Sequence, residues 1–254
     1  MGLVLAGLLL PAQGAAQPRH WPQAISPDTF SPMLPLAEVK TQRHAYVEQS
    51  ANLADPQRRY YQAWLLLEQG QVAAAADSLK ALTAAAPELS LAWALRGWVA
   101  LLQDDLGRAS RYYDKAIRLN RRLAYLWFAR GTFYGELGHR RRALHDYTEA
   151  LRRDSLRYDA RLNRANTYLQ LGAADSARQD LQTLIAQVPQ ASFALGPLCV
   201  ACNKLADWPA TAAWCQKAVN LYPEEGIYWQ ALGNAQVHAG DTTAACVNWR
   251  KAAM

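Results

Sequence analysis

The stretch WFARGTFYGELGHRRRALHDYTEA, residues 127–150, contains the unit from which most of this sequence is built. Trp127, Gly131 and Tyr134 follow one another at intervals of four and three residues, which places them on one face of a helix. A break is predicted at Gly138, because glycine readily adopts the backbone conformation that ends a helix. A second helix then repeats the spacing in Ala143, Tyr147 and Ala150. The stretch therefore predicts an antiparallel helical hairpin in which small residues let the backbones approach and bulky ones fill the gaps.

The same unit recurs every 34 residues between residues 56 and 254. The turn position holds Gly70, Asp104, Gly138, Gly172, Ala206 and Gly240, and a small position of the first helix holds Gly97, Gly131, Ala165, Cys199 and Gly233. A bulky position of the second helix holds Leu79, Tyr113, Tyr147, Leu181, Cys215 and Trp249. No insertion breaks the period. The predicted repeats are 56–89, 90–123, 124–157, 158–191, 192–225 and 226–254.

This arrangement of tryptophan, glycine, tyrosine, alanine and proline resembles the tetratricopeptide repeat. The sequence departs from that pattern at Arg96 and Arg130, which occupy the usual leucine position, and at Ala100 and Gln236, which replace an aromatic residue. The resemblance implies an all-α, right-handed superhelical solenoid of antiparallel helix pairs. It also implies a non-catalytic protein that binds other proteins or peptides, although a fold by itself indicates only this class of function.

The N-terminal residues differ from the repeats. Residues 1–16 resemble an export signal, because the apolar run at residues 3–10 is far shorter than the roughly 20 residues that span a bilayer, and small residues follow it. No Lys or Arg precedes that run, which a typical signal would have. Residues 17–35 are rich in proline and are predicted to form a linker, and residues 36–55 a capping helix. We expect a periplasmic or extracellular protein, or a cytoplasmic one if the signal is not functional.

Composition supports a packed helical protein, because 51% of the residues are hydrophobic and few are glycine. The net charge of +6 fits several kinds of acidic partner and does not choose among them. A basic patch at Arg140, Arg141 and Arg142, extending along the sequence to Arg157, indicates either a solvated surface or an adaptor for anionic surfaces or partners. Among these arginines the only Phe, Trp or Tyr is Tyr147, which occupies a core position of the repeat, and this argues against nucleic acid.

Residue patterns typical of catalysis are missing from the sequence. The five histidines are scattered, and the sequence contains neither a glycine-rich phosphate loop nor a nucleophile elbow. Acidic pairs such as Asp104–Asp105 are expected to cap helices or face water. We therefore predict a protein that is not an enzyme and has no cofactor or metal site; a regulatory module of an enzyme complex is an alternative.

The cysteines fall mostly at core positions of the repeat. Cys199 occupies the small position, Cys202 a tyrosine position and Cys215 the bulky position, so all three are expected to be buried. Two states stay open for them. They are either buried thiols or, in an oxidising compartment, a disulfide between Cys202 and Cys215.

The resemblance also implies an inner groove, lined by first-helix residues that face away from the hairpin core. The expected lining residues are Tyr60, Tyr61, Trp64, Trp98, Tyr125, Phe128, Asn163, Asn166, Phe193 and Asn234. The aromatic residues of the N-terminal half can bury apolar area, and the amides of the C-terminal half can bond a peptide backbone, which suits an extended peptide or a partner helix. The alternative is that these aromatics pack against neighbouring parts of the chain.

The last repeat ends directly after its second helix, and no polar capping helix follows in this sequence. Val247 and Trp249 are therefore expected either to lie exposed or to contact another chain. Self-association through this repeat is a further expectation.

Overall fold

The computed structural model describes residues 55–188 and 191–253. Over these residues it contains twelve α-helices and no strand, which confirms the predicted all-α helical repeat solenoid. The predicted signal peptide, the linker and residues 36–54 of the predicted capping helix lie outside the described residues.

The chain divides into two compact units, residues 1–157 and residues 158–254. The described part of the first unit comprises α1 (Asp55–Glu68), α2 (Val72–Ala85), α3 (Ser90–Leu102), α4 (Leu106–Leu119), α5 (Ala124–Glu136) and α6 (Arg140–Arg153). The second comprises α7 (Tyr158–Gln170), α8 (Ala174–Gln187), a 3-10 turn (Ser192–Ala194), α9 (Leu195–Lys204), α10 (Trp208–Leu221), α11 (Gly226–His238) and α12 (Thr242–Ala252). Consecutive helices pack in pairs, so each unit contains three hairpins.

The interior of a hairpin brings together two fixed positions that are 16 residues apart in the sequence. A Cβ atom added to Gly97 would lie 3.0 Å from the Tyr113 ring, and one added to Gly131 would lie 2.9 Å from the Tyr147 ring. The small position of the first helix therefore lies directly opposite the bulky position of the second. Close approach of the backbones at the small position makes room for a large buried ring.

The turns between paired helices share one backbone conformation. The turn residues Gly70, Asp104, Gly138, Gly172, Ala206 and Gly240 all have positive φ angles, between 55° and 85°. In the third hairpin the His139 amide then donates a hydrogen bond of 2.9 Å to the Tyr134 carbonyl, which satisfies an end of α5 as in a Schellman motif. Asp105, Asp207 and Asp241 accept bonds from the first turns of α4, α10 and α12. Asp105 therefore has the capping role expected for it.

Replacing Ala206 with glycine should raise the free energy of unfolding by about 1 kcal/mol, because Ala206 has a φ of 55° and a side chain makes this conformation unfavourable. Denaturant unfolding followed by circular dichroism measures the change. The matched control is Gly138→Ala, which should lower stability by a similar amount, since Gly138 has a φ of 72° and nothing within 4 Å of an added Cβ. Opposite signs are required of the two variants, and equal signs would contradict this account.

Within each unit the first helices of neighbouring hairpins lie side by side. In the first unit α3 contacts α5, and in the second α9 contacts both α7 and α11. Residues one repeat apart on these helices are therefore neighbours in space. This arrangement positions the candidate binding residues described next.

Candidate functional site

The aromatic residues expected to line the groove in the first unit are buried. Tyr60, Tyr61, Trp64, Trp98, Tyr125 and Phe128 are all at most 8% exposed. The rings of Trp64 and Trp98, one repeat apart on α1 and α3, have centroids 5.2 Å apart, and those of Tyr60 and Tyr61 are 5.3 Å apart. These side chains pack on one another, as the alternative interpretation of the sequence had it. A substitution such as Trp98→Ala would therefore test stability before it tested binding.

Arg157 contributes to this buried aromatic cluster. Its guanidinium carbon lies 5.5 Å from the centre of the Tyr125 ring and 5.1 Å from that of Phe128. The sequence interpretation placed Arg157 at the end of an exposed basic patch, and that placement was wrong because Arg157 is buried. Aromatic faces stabilise a guanidinium removed from water, which accounts for its position.

The first three arginines of the basic patch are exposed. Arg140, Arg141 and Arg142 form the first turn of α6, and the Arg142 guanidinium lies 5.4 Å from the Tyr134 ring centre. Arg153, at the other end of α6, is half-buried and forms an ion pair with Glu149 at 2.7 Å. The patch is therefore three arginines at one end of α6, with no continuation to Arg157.

The four candidate residues of the second unit remain accessible. Asn163, Asn166, Phe193 and Asn234 are each half-buried. Asn163 and Asn166 lie three residues apart on α7, and among the described residues their side-chain amides make no hydrogen bond. The structure thus keeps accessible amides in the second unit, whereas the candidate aromatics of the first unit are packed away.

Two of these four residues contact other side chains of the second unit. The side-chain amide nitrogen of Asn234 on α11 donates to the side-chain Oδ1 of Asn203 on α9 at 3.2 Å, and the Oδ1 of Asn234 accepts a bond from the Trp249 indole at 3.3 Å. Phe193 lies 6.4 Å, centroid to centroid, from Tyr158. α9 and α11 therefore share an amide pair on neighbouring first helices.

A disulfide joins Cys199 on α9 to Cys215 on α10, with Cα atoms 4.8 Å apart. The predicted bond between Cys202 and Cys215 was wrong. Cys199 and Cys215 occupy the small and bulky positions, 16 residues apart, that also face each other as Gly97–Tyr113 and Gly131–Tyr147, whereas Cys202 lies almost one turn further along α9. Cys202 is a buried free thiol, and burial, followed by the charge of Asp207, raises its pKa. Cys246 is an exposed free thiol.

A column of arginines connects neighbouring helices, a feature that the repeat pattern by itself does not predict. Arg130 forms two hydrogen bonds with Asp146, at 2.7 and 2.9 Å, and one with Asp114 at 2.7 Å. Arg164 bonds Asp180 at 2.7 Å, and Arg96 bonds the Tyr112 hydroxyl at 2.9 Å. Each arginine replaces the usual leucine of the repeat. Tyr112, Asp146 and Asp180 lie 16 residues after their arginines, whereas Asp114 lies 16 residues before Arg130, on the preceding hairpin. Comparing those two columns would have revealed the pairs.

Tryptophans of the repeat secure the loops between hairpins. The indole nitrogens of Trp93, Trp127 and Trp229 donate to the carbonyls of Pro87, Arg121 and Pro223, at distances of 2.8, 3.0 and 2.8 Å. This recurring bond explains why tryptophan occupies the position. Trp127 is only half-buried, so it packs at the edge of its hairpin and part of its ring stays exposed to solvent.

The possible metal, membrane and protein contacts of the described residues are considered next. Within the part of the chain that the structure describes, no three His, Cys, Asp or Glu residues are grouped so that they could hold a metal ion, and no helix has the length and apolar character needed to cross a bilayer. In the last hairpin, Val247 and Trp249 are 44% and 40% exposed. Self-association through them stays a prediction.

Comparison with known proteins connects this geometry to a family. A family model described as tetratricopeptide repeat matches residues 60–126 and 128–192, together just over half of the chain. No curated protein matches the sequence. Two solved structures show the likeness of fold. A tetratricopeptide repeat protein from Parabacteroides merdae ATCC 43184 is 18% identical, covers 77% of this chain and 78% of its own, and has a TM-score of 0.62. PilF from Pseudomonas aeruginosa is 16% identical, covers 82% and 89%, and has a TM-score of 0.64.

A third structure is that of YrrB, described as a TPR protein with an unusual peptide-binding site. It is 16% identical over 70% of this chain and 91% of its own, with a TM-score of 0.63. At these identities the likeness concerns the fold.

Proposed function

Because this chain belongs to the tetratricopeptide repeat family, whose members are generally non-catalytic scaffolds, we propose that it is a protein-binding scaffold without enzymatic activity. The ligand is an extended peptide or a partner helix, and it binds along the first helices of the second unit, α7, α9 and α11. A stack of such helices presents an extended surface on which successive repeats can each contact one stretch of a ligand.

The observation that carries this proposal is the pair of amides on α7. Asn163 and Asn166 are half-buried, and among the described residues neither side chain has a hydrogen-bond partner. An amide group offers both a donor and an acceptor, so it can bond the N–H and the C=O of a peptide backbone. Partly desolvated polar groups without partners gain more from such bonds than fully hydrated ones.

The neighbouring first helices extend the surface. Val200 on α9 and Asn234 on α11 follow Asn166 at one-repeat intervals, and all three are half-buried. Val200 supplies an apolar contact between two amide positions. YrrB, with its peptide-binding site, is a precedent for peptide recognition by a protein of similar fold.

A displayed library of unstructured peptides, selected against the full chain, tests the proposal. The affinity of a selected peptide is then measured by calorimetry for the wild type and for Asn163→Ala/Asn166→Ala. We expect the double variant to bind about 30-fold more weakly, because two hydrogen bonds of roughly 1 kcal/mol each are lost. Binding should persist at high salt, since no ion pair is involved.

The control is Gln179→Ala/Gln182→Ala, which removes two exposed amides with the same spacing from α8. It should bind as the wild type does, and both double variants should unfold at the wild-type denaturant concentration. Equal affinity of the wild type and the Asn163/Asn166 variant would refute the proposed site. A selected peptide recovered in chemically altered form would refute the absence of enzymatic activity.

The disulfide supports the further proposal that the chain is exported. Disulfides persist in oxidising compartments and are rare in the reducing cytosol, and the bond between Cys199 and Cys215 lies in the core of a hairpin. The signal-like residues 1–16 agree with this location. Mass analysis of the protein in cell fractions should find it in the exported fraction, cleaved close to Gln17. Uncleaved protein in the cytosol would contradict export.

A further inference from the structure

A cavity of about 440 Å³ opens on the first unit, whereas the amides of α7 belong to the second. Arg118 at the end of α4 and Arg121 in the following loop line one side of it. Glu149 and Arg153 of α6 contribute another side, and Trp127 of α5 lines it as well. We call it the Trp127 cavity.

Trp127 is held firmly in this cavity. Its indole nitrogen donates to the Arg121 carbonyl at 3.0 Å, and the Arg153 side chain donates to the same carbonyl oxygen. The Arg153 guanidinium also lies 4.2 Å from the centre of the Trp127 ring. The loop, the ring and α6 are thus tied together, and the cavity is formed before any ligand arrives.

The acidic residues of the cavity already have cationic partners. Asp114 is bonded by Arg130 at 2.7 Å, and Glu149 by Arg152 at 3.1 Å and Arg153 at 2.7 Å. The hydrogen bond from Arg153 is the main cause that lowers the pKa of Glu149, so this carboxylate is ionised and engaged at neutral pH.

The two arginines on the other side of the cavity have no such partner. Arg118 and Arg121 are exposed, and within the described part of the chain neither forms an ion pair. The positive charges of Arg118 and Arg121 are therefore not neutralised by an ion pair in the described part of the chain, and both residues line the cavity together with the Trp127 ring. An anionic ligand with an apolar part could use both features.

This combination distinguishes Trp127 from the equivalent tryptophans. Where Trp127 has Arg118 and Arg121, Trp93 has Ala84 and Pro87, and Trp229 has Asn220 and Pro223. Lys115 covers the Trp93 ring at 3.6 Å and Lys251 the Trp229 ring at 4.2 Å, whereas Glu149 occupies the equivalent position near Trp127. The tryptophan recurs with the repeat, whereas the two arginines and the uncovered side of the cavity depend on residues that differ between repeats.

We propose that the Trp127 cavity binds an acidic side chain, glutamate or aspartate, of a partner protein, with its carboxylate on Arg118 and Arg121 and an adjacent apolar residue against Trp127. A base of nucleic acid would need a whole aromatic face to stack on, and Arg153 already lies over this ring, whereas an apolar side chain needs only part of the half-buried ring. A membrane surface would reach the exposed Arg140 to Arg142 more readily than a recessed cavity. Protein partners present acidic and apolar side chains side by side.

A blocked peptide that alternates glutamate with phenylalanine is the probe, and the same peptide with glutamine is its control. The full chain, with ¹⁵N-labelled tryptophan, is titrated while the Trp127 indole resonance, assigned from Trp127→Phe, is followed by NMR. We expect the glutamate peptide to shift this resonance. Arg118→Gln/Arg121→Gln should bind it about tenfold more weakly, because two exposed ion pairs are lost.

The matched variant is Arg141→Gln/Arg142→Gln, which removes the same charge from exposed residues of α6 and should bind as the wild type does. Equal weakening by both pairs would overturn the proposal, since it would reduce the effect to net charge. It would also be overturned by equal affinity for the glutamine peptide, by an unshifted Trp127 resonance, or by a shift with inorganic phosphate or phosphatidylglycerol vesicles but not with the peptide. The cavity and the α7 amides lie in different units and are tested with different variants. A negative result for one proposed site therefore does not contradict the other.

Discussion

Replacing Arg130 with alanine should lower the free energy of unfolding by about 3–5 kcal/mol, because it leaves the Asp146 carboxylate buried without its cation. Asp146 is 1% exposed, and Arg130 supplies two hydrogen bonds to it. Burial alone would lower the pKa of Arg130, but the hydrogen bonds that it donates to Asp146 and Asp114 raise its pKa well above the ordinary value, so the guanidinium is always charged. Denaturant unfolding of the full chain measures the loss.

The chain itself offers the control for this prediction. In the last hairpin the equivalent positions hold Leu232 and Asn248, which need no ion pair. The double variant Arg130→Leu/Asp146→Asn should therefore lose less stability than Arg130→Ala, because it removes both charges together. If the double variant is as unstable as the single one, the stranded carboxylate is not the cause and the prediction is wrong. Arg122→Ala, an exposed arginine outside the network, should change stability by no more than about 0.5 kcal/mol.

Reduction of the Cys199–Cys215 disulfide should lower the free energy of unfolding by about 3 kcal/mol, because the bond closes a loop of 16 residues and restricts the unfolded chain. Denaturant unfolding with and without reductant measures the difference. Cys199→Ala/Cys215→Ala should unfold at a lower denaturant concentration than the oxidised wild type and should no longer respond to reductant.

The free thiols provide the comparison. Cys246→Ala changes an exposed residue and should keep the full sensitivity to reductant. Cys202→Ala alters a buried residue, so it can change stability, but the response to reductant should again remain. Loss of that response in the Cys202 variant would show that Cys202 is a partner in the disulfide, contrary to the structure.

The period of the sequence predicted the hairpins well, because it reports which residues share a helix face. The turn column is the clearest case. Gly70 and Gly240 were expected at helix breaks, and Asp104 and Ala206 adopt the same positive φ although they carry side chains. Position in the repeat therefore determines the backbone conformation there more strongly than residue type does.

The same period could not predict how far apart neighbouring first helices lie. Trp64 and Trp98 face the side of the helices that lines the groove in the related fold, but their large rings contact one another between α1 and α3, and both are buried. Smaller amides at Asn166 and Asn234 fill less of the corresponding space and stay half-exposed. Side-chain volume between adjacent helices decides exposure, and the period carries no information about it.

Pairing across a hairpin does not follow from the period of the sequence alone. Gly131 and Tyr147 were identified as members of a small and a bulky column, but the fact that these columns face each other comes from the structure. With that register, Cys199 and Cys215 would have been paired correctly, and Asp146 would have been found opposite Arg130. Helix periodicity shows which residues share a face of one helix, whereas predicting a residue pair also requires the register between two helices.

The fixed pairing at a separation of 16 residues has a consequence for how such a chain can diversify by recombination. Exchange of one helix alone would bring unmatched residues together, such as the leucine of α9 opposite the buried Asp146 of α6, or a lone cysteine opposite a tyrosine. Exchange of a complete hairpin carries both members of each pair. The one partner of Arg130 that stays in the chain is then Asp114, on the preceding hairpin. Its carboxylate is partly exposed, so water can hydrate it when Arg130 is removed. We therefore expect crossovers in the loops between hairpins to be tolerated, and crossovers in the tight turns within a hairpin to be disruptive.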